Sequence, residues 1–400
     1  MNKDFHYYAT YCAAILAGYT HEEAVDICYC AQFVDLCTVS FLTSVNGPHA
    51  AATTQLQLEL ADARTDMIGL QDMTRIWASF HFLPRDLFRS RGGRCGKTYM
   101  DKYRLVAGPN GDLIVDTVRQ AKHGTLQAVG IAMHVLADTW AHRYFAGTPS
   151  LVINSTNDYF YEIVQEDGEI KEYPVQFIHN PSKPDDLDKH IYTNSIAQNQ
   201  ENSIMNLGHG RAGHLPDYSF IRYKYLPSWG DYKEIVKDNP HDYVCAFTQM
   251  IYAMKYIRGM HKYFQVKKYD KEAIEPYKDE IISIITKRQL DSSADWKAFG
   301  EKLSGKEIPD FDLDRYKNEY TSAESEEVKD ETFLGKFFVA AMAQKSMVTT
   351  KIYRSGNLIA GYSIEYSGES GIGIKDYAAL IRNSKQRDEV GGAIGEDDGY

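Results

Sequence analysis

The chain lacks most of the features that would assign it a class at once. Six cysteines occur, but no repeated CxxC pair, so a zinc ribbon is not indicated. Cys12, Cys28, Cys30 and Cys37 crowd the first 37 residues, with Cys95 and Cys245 beyond. They read as buried free thiols, which suits a reducing compartment. No run of 18 apolar residues exists, so no membrane-spanning helix is expected. The opening "MNKDFHYYATYCAAILAGYTHEE" has an apolar stretch interrupted at its start by Asp4 and His6. It reads as an amphipathic helix rather than a secretory signal, and a cytoplasmic location is expected. Positive charge is also short: 44 Lys and Arg stand against 55 Asp and Glu, a formal net charge of −11. Duplex DNA is therefore disfavoured as a partner, because gripping it needs a basic surface that displaces counterions. Histidine is absent from the last 139 residues, and no internal repeat is visible.

What remains is a chain of 400 residues with 44% apolar content, enough for a sizeable core and for more than one domain. Helical periodicity dominates. A first helix is expected over roughly residues 4–18, stopped by Gly18. Thr20 and Glu23 form a capping box for the second. Further helices are expected over 62–79, over 112–145 with breaks near Gly124 and Gly130, and over 240–264. Residues 147–200 differ: "YFYEIVQ" and "IKEYPVQF" flank "EDGE", a hairpin signal, followed by the polar loop "PSKPDDLDKH". Helices return over 270–348, residues 349–370 look strand-like around "RSGN", and the acidic, Gly-rich tail reads as frayed. The expected organisation is a helical domain over 1–265 carrying a β-hairpin insertion at 147–200. A mostly helical region with short strands follows over 266–400.

The chemistry concentrates in "MHVLADTWAH", residues 133–142. His134, Asp138 and His142 are spaced by four. Each such step on a helix rises about 6 Å and drifts about 40°, so the three side chains form one stripe. A carboxylate in the middle can bind two metals, and two-metal hydrolases hold their ions roughly 3.5–4 Å apart. An i,i+4 His–Asp pair is also ordinary helix chemistry. A buried, unpaired Asp among Val135, Leu136 and Ala137 would be costly, however.

Other candidate ligands accompany that stripe: His6 in "DFHYYAT", Asp35 in "AQFVDLC" and His81 in "SFHFLP". His209, His214 and Asp217 lie in "GHGRAGHLPD". Each alone is more often structural. Together they supply nitrogen and oxygen donors suited to zinc.

This order of residues resembles the zinc-dependent phospholipase C family and the fungal single-strand nucleases that share its fold. That family shows an early His, an Asp after the second helix, a His, a helix bearing His-x3-Asp with a further His, and a last His with a carboxylate. The wording "FHYYAT … FHFLP … ADTWAH" is also similar to an uncharacterised bacterial family. The resemblance to the phospholipases implies a mainly α fold, a phospholipase C-like helical bundle, with two or three Zn2+ ions. By it, one zinc would take Asp35, His81, His134 and Asp138. A second would take His142 with His209 or His214 and with Asp217. A third would share Asp138 and use His6. The family also uses its N-terminal amine and carbonyl at the third zinc, whereas here Met1 precedes His6 by five residues. The gap of 66 residues between His142 and His209 is longer than the family's, and the hairpin that fills it is a candidate lid.

The expected function is metal-dependent hydrolysis of phosphate esters, with Asp35 and Asp138 as candidate catalytic carboxylates. The substrate would be a phosphodiester or phospholipid-like molecule, with a nucleotide or a lipid headgroup both open. The alternative is a non-catalytic, zinc-stabilised helical scaffold or partner-binding protein. Arg143 and Arg211 are candidates to hold phosphate, and Tyr159, Tyr161 and Tyr173 to line a substrate pocket, although surface solvation and hairpin packing explain them as well. "RGGRCGKT" lacks the first glycine of a phosphate-cradling loop, since position 91 is Arg91. His241-Asp242 follows Asn-Pro at a helix start, where Asp242 is ordinary first-turn chemistry and His241 a candidate support for the metal ligands.

Overall fold

The computed structural model describes residues 1–56, 67–87, 105–148, 156–180, 182–194, 208–230 and 232–355. The fold is mainly helical. A π-helical turn, Asp4–Ala9, runs into α1 (Thr10–Leu16), followed by α2 (His21–Phe33) and α3 (Val39–Ser44). Then come α4 (Met67–Phe80), α5 (Asp112–Lys122) and α6 (Leu126–Ala141). Strands β1 (Thr156–Glu166), β2 (Glu169–Pro174), β3 (Gln176–Ile178) and β4 (Ile191–Thr193) follow. The short α7 (His209–Ala212) precedes β5 (Arg222–Pro227), β6 (Ile235–Asp238) and the long α8 (Asn239–Ile257). The chain continues through α9 (Lys271–Ile274), α10 (Lys278–Thr286), α11 (Ser293–Ser304), α12 (Lys317–Thr321), α13 (Glu326–Glu331) and α14 (Phe333–Arg354).

The capping box at Thr20 forms as expected: Glu23 N–H donates to Thr20 Oγ1, and Thr20 N–H donates to a Glu23 carboxylate oxygen. The α5–α6 break falls at Gly124, but Gly130 lies inside α6. Its reason is packing. A Cβ there would stand 2.5 Å from Cys30 Cβ and 2.5 Å from Ile27 O, so glycine permits α2 and α6 to touch backbone to backbone. Periodicity carries no sign of such a contact, and an isolated glycine reads as a break. The strand-like segment expected over 349–370 is likewise different at its start: α14 runs to Arg354, and residues 356–370, with the tail, lie outside the described residues.

The hairpin forms with Asp167 and Gly168 at positive φ, 53° and 84°, the geometry of a tight primed turn. It is not an isolated insertion. Its strands extend a four-stranded antiparallel sheet in the order β2-β1-β5-β6, whose other half comes from residues 222–238. Neither strand has a clear sequence pattern: β5, "RYKYLP", is buried on both faces at most positions and lacks clean alternation, and β6 exposes Val236 while burying Lys237.

Two hydrophobic cores result. The larger runs from Met1 to Ile352 and joins the helices, α14 packing against α4 and α6. The smaller lies under the sheet and includes Phe82, Phe145, Phe160, Leu215 and Tyr225. Cys12, Cys28, Cys30 and Cys37 are buried free thiols in the larger core. Among the described residues, no helix is long and apolar enough to cross a membrane.

Candidate metal centre

The junction of the two cores gathers histidines and carboxylates from five parts of the chain. The first turn brings His6, the segment after α2 brings Asp35, the end of α4 brings His81, and α6 brings His134, Asp138 and His142. The "GHGRAGH" segment brings His209, and Asp217 follows it. Three groups have donor atoms all within 4.8 Å of one another: His6, His134 and Asp138; Asp35, His81 and His134; His142, His209 and Asp217. Each group can hold a metal ion.

Asp138 sits at the centre and is wholly buried. Its Oδ1 lies 3.2 Å from His6 Nε2 and 2.9 Å from the Met1 nitrogen. Its Oδ2 lies 3.2 Å from His81 Nδ1, 3.1 Å from His134 Nε2 and 3.4 Å from His142 Nδ1. His142 and His209 face Asp217 at 3.2 and 3.5 Å. Asp35 stands 3.8 Å from His81 and 3.9 Å from His134, and Gln32 Nε2 donates to it at 3.4 Å.

Backbone carbonyls orient the rings. His134 Nδ1 pairs with Ala31 O at 2.8 Å, His81 Nε2 with Thr53 O at 3.0 Å, and His142 Nδ1 with His81 O at 2.8 Å. A ring nitrogen that donates to a carbonyl leaves the other nitrogen as the lone-pair donor, the arrangement a metal-binding imidazole needs. His134 Nε2, His81 Nδ1 and His142 Nε2 are thereby the inward donors. The His6 ring stacks on His134, centroids 3.9 Å apart, and neither of its nitrogens makes a hydrogen bond, although both are buried. His209 Nε2 is in the same condition. Buried imidazole nitrogens are costly without a partner, and a metal ion is the partner these neighbours can share.

The charge states agree with that use. Burial pushes His6 and His142 down to about 4, so both are neutral at neutral pH. Burial alone would raise Asp138 and Asp217. For Asp138 the neighbouring His142, Met1 amine and His134 reverse it, and for Asp217 the Met1 amine and His209 do so. Both carboxyls stay well below their ordinary range. Burial opposes the charge on the Met1 amine, but Asp138, Asp217 and Asp35 outweigh it and push the group up to about 11. The Asp138 and Asp217 carboxylates thus face the Met1 ammonium and the neutral rings of His6 and His142.

The expected residues separate cleanly. His6, Asp35, His81, His134, Asp138, His142, His209 and Asp217 converge. His214 does not: its Nδ1 turns to Asp185 Oδ2 at 2.8 Å, its side chain is 47% exposed, and it belongs to none of the three groups. A backbone turn, Asp217 N to His214 O, directs Asp217 inward and His214 outward. His241 is also excluded, its side chain 66% exposed and its Nε2 3.7 Å from Cys245 Sγ. Arg143 is engaged with Asp242 at 3.6 Å. Tyr159 and Tyr173 hydrogen-bond Glu234 and Glu166 on the sheet, as hairpin packing predicts. The "RGGRCGKT" stretch lies outside the described residues. The Met1 nitrogen, five residues from His6, comes within 3.3 Å of His142 Nε2 after all. The orienting carbonyls of Ala31 and Thr53 have no signature in sequence.

Residues 1–352 match the profile of a family of unknown function (DUF6765). No curated protein and no solved structure matches the chain.

Proposed function

The chain belongs to that family of unknown function, and we propose that it is a metal-dependent hydrolase of phosphate esters built on a multinuclear zinc site. One observation carries the reading: Asp138, wholly buried, has one oxygen beside His6 and the other beside His81 and His134. That is the geometry of a carboxylate shared between two ions. Mixed imidazole and carboxylate donors favour zinc among the common divalent metals. When bound, such a metal supplies Lewis-acid charge for phosphate oxygens and lowers the pKa of a ligated water.

The chain's own residues divide the remaining work. Asp138 and the His6–His134 stack are closed to solvent, so they hold and space the centre. Asp35, 29% exposed, and Asp217 and His209, 13% and 20% exposed, form the edge a substrate can reach. Asp35 Oδ2 is the acceptor for the proton of an attacking water, and Gln32 fixes its orientation. The phospholipase C-like architecture remains a proposal drawn from the order of these ligands.

A purely structural site is the second reading, and the wholly buried group of His6, His134 and Asp138 favours it for that ion. Elemental analysis together with hydrolysis of bis-p-nitrophenyl phosphate separates the two. Bound zinc with turnover that chelator abolishes supports the hydrolase. Bound zinc with no turnover supports the scaffold.

A further inference from the structure

The chain carries a formal net charge of −11, yet one exposed turn is locally cationic. Residues 258–269, "RGMHKYFQVKKY", carry Arg258, Lys262, Lys267 and Lys268 and no acidic residue. They form the turn and coil that follow α8, and all four cationic residues are exposed. Asp270 pairs with Lys255 at 2.7 Å, and Arg258 is held by Gly18 O, the Tyr19 ring and Glu23, so among the described residues Lys262, Lys267 and Lys268 are the turn's cations with no acidic partner. Lys122 joins the same face, its Nζ 4.1 Å above the ring of Tyr256. Between the cations, Met260 is 54% exposed and Tyr263 is 62% exposed, two of the most exposed large hydrophobic side chains among the described residues.

We propose that this turn is a docking site for a bilayer surface containing anionic phospholipid, Met260 and Tyr263 entering the headgroup layer while Lys262, Lys267 and Lys268 meet the phosphates. Charge complementarity selects an anionic partner, since exposed lysines without acidic partners attract negative charge. The apolar pair selects the bilayer over a nucleic acid. A methionine beside a tyrosine, flanked by lysines, matches the depth profile of a membrane interface, with cations at the phosphates and the amphipathic ring at the headgroup level. The metal residues are elsewhere. Tyr243, near the start of α8, hydrogen-bonds Asp217 O at 2.8 Å, and the turn follows the other end of α8, about 20 Å along the helix. Docking and metal chemistry therefore occupy opposite ends of one helix, and the proposal does not depend on the hydrolase reading.

The test is co-sedimentation of the full chain with phosphatidylcholine vesicles, with and without phosphatidylserine. Two variants accompany it: Lys262→Glu/Lys267→Glu/Lys268→Glu and Met260→Ser/Tyr263→Ser, each checked for an unchanged melting temperature and zinc content. The proposal expects binding only when phosphatidylserine is present. It expects the charge-reversed variant to bind about tenfold more weakly or less, and the serine variant to be weakened as well. No binding to the anionic vesicles, binding that neither variant reduces, or retention of a single-stranded oligonucleotide instead of vesicles would each overturn it.

Discussion

His81 Nδ1 lies 3.2 Å from Asp138 Oδ2, although the two residues are 57 positions apart in the chain. Their meeting depends on two anchors at the ends of the His81 ring: Asp138 on one side and Thr53 O on the other. α6 supplies the carboxylate, α4 ends so that His81 faces it, and the close α2–α6 contact at Gly130 brings Ala31 O to the His134 ring beside them.

Asp138→Asn tests the shared carboxylate. Zinc content should fall to less than about a tenth of wild type, since a neutral amide cannot serve two ions. The Met1 ammonium would also lose its closest counter-charge, so the metal-free variant should unfold about 3–5 kcal/mol more easily. Unchanged zinc content by plasma mass spectrometry would count against a shared carboxylate.

His209 and His214 should behave differently. His209→Ala removes a donor beside Asp217 and should lower zinc content and any phosphodiesterase turnover by about tenfold or more. His214→Ala removes a partner of Asp185 and should leave zinc content intact. The reverse pattern in the two metal analyses would show that the segment is oriented the other way.

The Asp185–His214 pair gives a pH dependence. The hydrogen bond that His214 donates to Asp185 raises His214 above its usual 6.5, so its stabilisation is full below that pH and is lost as pH rises through the folded value. Burial would raise Asp185, but His214 and Tyr218 outweigh it and lower it below 3.8, so its contribution is lost as pH falls through the folded value. The pair is therefore fully stabilising between about 3.8 and 6.5. In His214→Gln the fall in melting temperature as pH rises above 6.5 should flatten; an identical slope in both proteins would refute the assignment.

Gly130→Ala probes the helix contact. Alanine is the better helix former by about 1 kcal/mol, yet its methyl would meet Cys30 Cβ and Ile27 O at 2.5 Å. A net loss of about 1–3 kcal/mol is expected, with weakened zinc binding because α2 carries Ala31 O to His134. A stabilised variant in a denaturant titration would mean that the helices separate freely.

Much of this centre is legible in the residues themselves. Four-residue spacing on a helix places His134, Asp138 and His142 in one stripe without any tertiary knowledge, and the structure keeps them so. His6, Asp35 and His81 stand out because imidazole and carboxylate are rare among such apolar neighbours. The choice between His209 and His214 was not legible, because a turn of backbone decides it and both histidines sit in the same glycine-rich context. Nor were β5, whose burial removes alternation, and β6, which exposes Val236 and buries Lys237, or Gly130, whose contact lies in a different helix. Buried carbonyl acceptors such as Thr53 O leave no trace in side-chain pattern at all.

The most direct measurement is anomalous diffraction from crystals of the full chain, collected on both sides of the zinc absorption edge. The account predicts at least two zinc peaks flanking Asp138, one beside His6 and one beside His81 and His134. A single peak away from Asp138, or none from protein purified without chelator, would contradict it.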